Sequence, residues 1–531
     1  MALAIGGAVW LQSSAQLHGN TFANTAQFGG GAVFVNHGIR GDRPSLFNCS
    51  FMNNTAADAG GALLLLSSVR LVDSTFVDNT AQGVASGGGA VHVEGGQTQG
   101  DGPLLFDCTF TNNMAVNAGG AVWLGSSAQL QGCTFVGNTA HSFSAGGGAV
   151  YVEGGITVGS VLLFNCNFTK NTVNNGGGAV WLGSLAMLDG NIFVANTAQG
   201  RGSGAGAVYV STGIGGNGPS LSNCTFMNNT AFNGGGAVVL SSLAQLHGNI
   251  FVGNTAKGPT SGGGAVFTNN GADGASFCDC TFADNTALFT GGAMIISALA
   301  QLDGSTFVGN IAHGVGTGGG AVYVGSGIAG DGPSFSHCTF SNNTAIDGGG
   351  AMFMQSSAQL HGTVFVRNTA QSAHSGGGAV YVDGVIGGDG PFFSNCSFTS
   401  NTVGGVGGAV WLATSAQFEG VIFSGNVASS GQGSAAWFAS SVVMHRCSFC
   451  DGTARGSVAC SRSNVSVDGS FSSVVKPQEV ARRRALLPRT WMLVPDPFGG
   501  PMGRKSGCGT VRYVEIKRRC FTLSGKPPTS R

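Results

Sequence analysis

The sequence predicts an all-β solenoid, a parallel β-helix of about sixteen coils followed by an irregular tail, and three observations carry that prediction. Sixteen phenylalanines recur from Phe22, Phe51, Phe76 and Phe110 through to Phe423 and Phe449, at spacings that settle into alternation between 25 and about 33 residues. A period in that range is the mark of a stacked repeat. Between successive phenylalanines stands Gly-Gly-Ala with an apolar run, as in Gly6 to Leu11, Gly147 to Val152 and Gly349 to Met354. Finally, 94 glycines and 9% charged residues exclude an ordinary α/β enzyme domain.

Because the chain repeats, its length counts coils rather than domains. One repeat domain is expected over residues 1–470 and a separate tail over 471–531. From Lys476 onward the tail holds 13 of the 23 lysines and arginines but only three acids, Glu479, Asp496 and Glu515, so zero net charge conceals an acidic body and a basic end. Basic clusters such as Arg482, Arg483 and Arg484 can bind phosphate. However, the tail also carries Pro477, Pro488, Pro495, Pro497 and Pro501 and shares nothing with the repeats. It reads as a disordered extension, or as sequence not normally translated, and nucleic acid is not an expected partner.

Side chains alternate between faces along a strand, so parity assigns the faces of each coil. In the Gly-Gly-Ala strand the first and third residues after Ala are aliphatic, as with Val9 and Leu11, Val122 and Leu124, or Val322 and Val324. They point inward, and the residue between them points out. A second strand carries Ala-Gln-Leu with Leu17, Leu130, Leu246 or Leu360 buried, and a third carries the phenylalanine. Three short strands per coil joined by Gly and Asn turns are therefore expected.

Coils stack at about 4.8 Å, so every repeated residue becomes a ladder and sixteen coils make a rod of roughly 75 Å. The phenylalanines become a core stack. From Phe51 to Phe423 each is followed three residues later by asparagine, and these, Asn54 through Asn426, become an amide ladder at a turn. Cys49, Cys108, Cys166, Cys224, Cys280, Cys338, Cys396 and Cys447 all stand two residues before a ladder phenylalanine, nearly always in alternate coils. Two coils span about 9.6 Å, beyond disulfide reach, so buried thiols that fill small gaps are expected. Cys133 is the exception, lying one coil from both Cys108 and Cys166, and Cys447, Cys450 and Cys460 could staple a cap. Cys508 and Cys520 are too far apart in sequence to complete a zinc site with Cys447 and Cys450.

Gly-Gly-Ala-(Val/Ile/Met) followed by Phe-x-x-Asn-Thr-Ala resembles the repeats of the polymorphic outer membrane protein family, known from chlamydial surface proteins and found also in eukaryotic, notably algal, β-helix proteins. The resemblance implies a right-handed, pectin-lyase-like helix and, for bacterial members, an exported adhesin. The chain departs from that pattern at its C-terminal end, where no series of alternating ten-residue strands could form an outer-membrane barrel. Autotransport is not carried over.

Residues 1–5 enter a coil directly, without a charged or apolar leader, so the chain reads as a fragment or as one whose start lies upstream. No run of 18 apolar residues offers a transmembrane helix. Eight Asn-x-Ser/Thr triplets, at Asn48, Asn53, Asn167, Asn223, Asn228, Asn342, Asn395 and Asn464, fit a secreted eukaryotic protein, although Asn-Asn-Thr is partly a by-product of the repeat. An extracellular or cell-surface location is expected.

For binding, the outward position of the Gly-Gly-Ala strand reads Trp10, Phe34, Leu64, His92, Trp123, Tyr151, Trp181, Tyr209, Val239, Phe267, Ile295, Tyr323, Phe353, Tyr381, Trp411 and Trp437. Stacked, these make an aromatic stripe, with Trp10, Trp123, Tyr151, Trp181, Tyr209, Tyr323, Tyr381 and Trp411 as the candidate contact residues for glycans or a partner protein. The competing reading is strand propensity, or rings that lie under the glycine loops. Asp101, Asp331 and Asp389 recur before Gly-Pro, but Asn217 replaces one and turn chemistry accounts for them. No metal and no cofactor is expected.

Catalysis lacks a recognisable constellation. The motifs of polygalacturonase-like hydrolases are missing, and pectate-lyase chemistry would need clustered acids with an arginine base. The best acid pair is Glu94 and Glu153, outward and two coils apart, near the separation of an inverting glycosidase, but no histidine or cation recurs beside both. His18, His247 and His361 share a repeat position many coils apart. A non-enzymatic surface protein is the expectation; a polysaccharide-active lyase or hydrolase and a purely structural wall component are the alternatives.

Overall fold

The computed structural model describes residues 2–468 apart from residue 6 and the stretches 37–42, 85–86, 96–101, 157–158, 260–261, 329, 374–375, 385–389, 431–432, 451–457 and 461–464. The expected tail, 471–531, lies outside the described residues, as do Asp101, Asp389, Asn464 and the side chains of Cys450 and Cys460. No helix occurs among the described residues; strand follows short strand, each paired in parallel with its equivalents one coil away.

Each coil carries four strands, not three. The chain runs from the Gly-Gly-Ala sheet (17 strands) to the Ala-Gln-Leu sheet (17 strands), the phenylalanine sheet (16 strands) and a fourth, 16-stranded sheet before climbing to the next coil. That fourth sheet is built mostly from two-residue strands such as Thr55–Ala56, Thr80–Ala81 and Thr286–Ala287. Thr points out and Ala in. Two residues are too few to show periodicity, which is why parity alone did not reveal them.

Register is unbroken along the phenylalanine sheet: Phe193 pairs with Phe226, Phe226 with Phe251 and Phe251 with Phe282. Their rings stack with centroids 4.7 to 4.8 Å apart and planes within 5°. Phe226 and Phe251 are fully buried, beside Val238, Leu240 and Leu246 from the other sheets.

The asparagine ladder is equally regular. Asn229 Nδ2 donates to Asn254 Oδ1 at 3.0 Å and to the Phe193 carbonyl at 3.0 Å. Its own Oδ1 accepts from the Nδ2 and the backbone N–H of Asn196, both at 3.0 Å. Buried amides are tolerated because nearly all of their capacity is used.

Two further residues per coil take left-handed conformation. One opens the phenylalanine strand, such as Asn223 (φ 53°), and one closes it, such as Asn228 (φ 54°) or Gly253 (φ 64°). Asn, Asp and Gly dominate there because they tolerate positive φ.

None of the ten described cysteines forms a disulfide, and nine are buried. Cys166 Sγ leans on the Leu130 and Phe164 carbonyls at 3.6 and 3.4 Å. In several intervening coils a polar residue takes the cysteine position and caps the backbone, whereas Cys133 and the buried Val421 hold it in two others. Asn191 Oδ1 accepts from Cys166 N at 2.9 Å, and Asn249 Oδ1 from Cys224 N at 2.9 Å.

Candidate binding face

The Gly-Gly-Ala sheet positions the aromatic stripe. Its strands are three residues long with a buried–outward–buried pattern, as in Val122–Leu124 and Val150–Val152. Strict register puts Trp123 beside Tyr151, Tyr151 beside Trp181 and Trp181 beside Tyr209.

The stripe is real but is neither continuous nor fully open. Trp181 and Tyr209 stack face to face with centroids 4.3 Å apart, and Tyr381 and Trp411 do so at 4.4 Å. Tyr323, Phe353 and Tyr381 continue the second stack at 5.5 and 5.0 Å. Val239, Phe267 and Ile295 divide it from the first, which runs His92, Trp123, Tyr151, Trp181, Tyr209. Trp10 is exposed near the N-terminal end of the rod, whereas Trp181 and Tyr381 retain only 9% of their surface. Trp123, Tyr151, Tyr209, Tyr323 and Trp411 are half-buried.

Glycine backbone provides part of the cover. A Cβ on Gly348 would stand 2.6 Å from Phe353 Cδ2, and one on Gly407 3.2 Å from Trp411 Cβ. The rings present edges and partial faces, so the stripe is half-buried rather than fully open.

An interrupted polar row runs beside the rings, one residue beyond the strand in some coils, with Glu94, Glu153, Ser211, Ser241, Asn269 and Gln355, while Leu66, Gly125, Gly183, Gly325 and Ala413 break it in others. Parity alone could have located this row, since it is the next position in the strand. Tyr323 Oη donates to Gln355 Oε1 at 2.6 Å, and Ser241 Oγ donates to Tyr209 Oη at 3.2 Å while accepting from Asn269 Nδ2 at 2.6 Å. The phenol ends are thereby fixed and the rings held in place.

Glu94 does have a histidine beside it, which spacing between coils did not suggest. His92 Nε2 lies 3.1 Å from Glu94 Oε2, within one strand and its turn. The His92 ring is fully buried against Trp123, centroids 3.9 Å apart. Burial holds its pKa below the usual histidine value against the opposing pull of Glu94. Glu153 reaches back over Gly125, where an added Cβ would meet its Oε2 at 3.0 Å. Burial first, then the charge of Glu94, raises the Glu153 carboxyl above the usual range. His92 Nδ1 and Trp123 Nε1 are buried without a hydrogen-bond partner, each a cost of about 1–3 kcal/mol.

His18, His247 and His361 stay far apart on the Ala-Gln-Leu sheet. Among the described residues no three His, Cys, Asp or Glu side chains converge as metal ligands. Asp331 sits exposed in its turn.

Residues 90–272 match the family model of the right-handed β-helix region, and residues 337–351 match that of the Chlamydia polymorphic membrane protein repeat. No curated protein and no solved structure matches the chain.

Proposed function

From a right-handed β-helix chain that carries a repeat of the Chlamydia polymorphic membrane protein type, we propose a non-enzymatic extracellular or cell-surface protein that binds glycans along its Gly-Gly-Ala sheet. The observation that supports this reading is the pairing of two aromatic stacks with an interrupted row of polar side chains one residue beyond their strands. Sugar rings offer apolar C–H faces and equatorial hydroxyls, and half-buried aromatic planes flanked by Ser, Asn, Gln and Glu answer both. A protein partner would use the same aromatic anchors, with less need for the polar row.

Trp123→Ala and Trp411→Ala, one in each stack, are expected to lower affinity for an array-selected glycan by tenfold or more while far-UV circular dichroism stays unchanged. Retained affinity in the double variant would sink the proposal. Absence of any ligand would favour a structural wall component.

A second reading rests on the converging Glu94 and Glu153, one with a raised pKa, the pattern of a general acid beside a second carboxylate. It predicts turnover of a polysaccharide such as pectin or alginate, abolished in Glu153→Gln.

A further inference from the structure

Seven of the eight Asn-x-Ser/Thr triplets fall on described residues, and all seven asparagines lie on one sheet or its two bounding turns. Asn48, Asn223 and Asn395 occupy the left-handed turn that opens a phenylalanine strand, with φ of 50°, 53° and 53°. Asn53, Asn228 and Asn342 occupy the turn that closes it, with φ of 53°, 54° and 55°. Asn167 points outward from the strand itself. All seven are exposed.

The Asn-Asn-Thr triplets separate two roles between neighbouring residues. In Asn228-Asn229-Thr230 the second asparagine is buried in the ladder with its Nδ2 engaged twice. The first is the acceptor of the triplet, and it is exposed. The same holds for Asn53 beside Asn54 and Asn342 beside Asn343. Among the described residues no protein acceptor holds the Nδ2 of Asn48, Asn53, Asn167, Asn228 or Asn342, whereas Asn223 donates to Asp189 and Asn395 to Ser394. The next coil also leaves room: Gly248, Gly253 and Gly420 face Asn223, Asn228 and Asn395, where a Cβ would come within 2.9, 2.5 and 2.7 Å of the amide oxygen.

We propose that these asparagines are N-glycosylated and that the sugar coats only the phenylalanine sheet and its edges. The coil order puts the Ala-Gln-Leu sheet on one side and the Thr-Ala sheet on the other between that coat and the Gly-Gly-Ala sheet. The aromatic stripe is therefore left bare. In the transfer, the asparagine Nδ2 attacks the anomeric carbon of a polyprenyl-diphosphate-linked oligosaccharide. A C–N bond forms, the C–O bond to the diphosphate breaks, the lipid diphosphate leaves with the electron pair, and the amide nitrogen loses one proton. The triplet's Ser or Thr is required at the acceptor. Repeat register explains why the triplets recur in these turns; the exposed and mostly unengaged amides are what make them usable.

The test uses protein purified from the cells that make it. An amidase that removes N-glycans converts each occupied asparagine to aspartate, which peptide mass spectrometry reads directly. The expected result is a drop in intact mass, with conversion at Asn53, Asn228 and Asn342. Asn53→Gln, Asn228→Gln and Asn342→Gln should each remove one glycan without loss of fold. Unchanged intact mass with all seven sites still read as asparagine overturns the proposal, as does glycan mapped to the Gly-Gly-Ala sheet. The outcome is independent of what the stripe binds, because binding by the stripe and occupancy of these sites are measured separately.

Discussion

At the scale of single residues, the ladder amides and the core thiols contribute in opposite ways. Asn229 spends its amide on four hydrogen bonds to three residues. Asn229→Ala removes the side-chain bonds to Asn196, Asn254 and Phe193, with Asn254 Oδ1 keeping only the Asn229 backbone N–H, and a loss of about 1–3 kcal/mol is expected in chemical denaturation. A loss of a few tenths would mean water replaces the amide. The thiols instead set an alkaline limit. Burial pushes Cys224 up to about 11 and Cys338 and Cys396 up to about 12. Cys133 is drawn down by Cys108, but Cys166 and burial raise it further, so its net shift is upward. A raised folded pKa means the unfolded chain ionises first. Stability is thus whole below the ordinary thiol range near 8.5, then falls as pH climbs toward the folded values, by about 1.4 kcal/mol per unit for each thiol. Unfolding should become steeply pH-dependent above pH 9, and Cys224→Ala with Cys396→Ala should flatten that slope. An unchanged slope in the double variant would show that the thiols do not set it. Below pH 9 these cysteines should resist alkylation until the chain is denatured.

At the scale of the element, the Gly-Gly-Ala strand depends on close approach by backbone. A Cβ on Gly178 would lie 2.0 Å from the Gly206 carbonyl oxygen and 2.7 Å from Thr197 N, with equivalent collisions at Gly148, Gly236 and Gly350. Neither neighbour is a side chain that can swing away. Gly178→Ala should therefore cost several kcal/mol, above the ~1–3 kcal/mol typical of an overpacked core, and Asn228→Ala on the exposed turn far less. Comparable losses in the two would contradict this packing. The need for these glycines was visible in the sequence as a nearly unbroken column of the repeat, with Ser434 in the last coil, as were the phenylalanine and asparagine ladders, because stacking turns repetition into contact. The two-residue Thr-Ala strands were not visible, since they are shorter than the period that would reveal them. Outward parity placed Trp181 and Tyr381 on the right face, but parity says nothing of what lies over a residue; each is stacked on a neighbouring ring and keeps only 9% of its surface. The His92 to Glu94 contact is not legible in the ladder spacing, because the pair lies within one coil rather than between two.

At the scale of the whole molecule, stability is a sum over neighbouring coils, so the unit that can be removed shows what the repeat is. From Cys166 onward cysteine coils alternate with coils holding Asn191, Asn249, Ser305, Thr363 or Val421 at the same place, and long arms alternate with short ones before the Gly-Gly-Ala strand, as in 199–206 against 174–178. The structural unit is thus a pair of coils. Deleting 226–281 joins Thr225 to Phe282 and removes one pair, which keeps both alternations. Deleting 226–250 removes a single coil, brings two long-armed coils together and puts Cys224 next to Cys280. That one-coil relation is the one Cys133 already has to Cys108 and Cys166, which remain free thiols. The two-coil deletion should keep the β-sheet circular dichroism and nearly the parent midpoint in urea. The one-coil deletion should unfold at markedly lower urea. Equal midpoints for the two deletions would show that the single coil is the unit and that the alternation carries no structural weight.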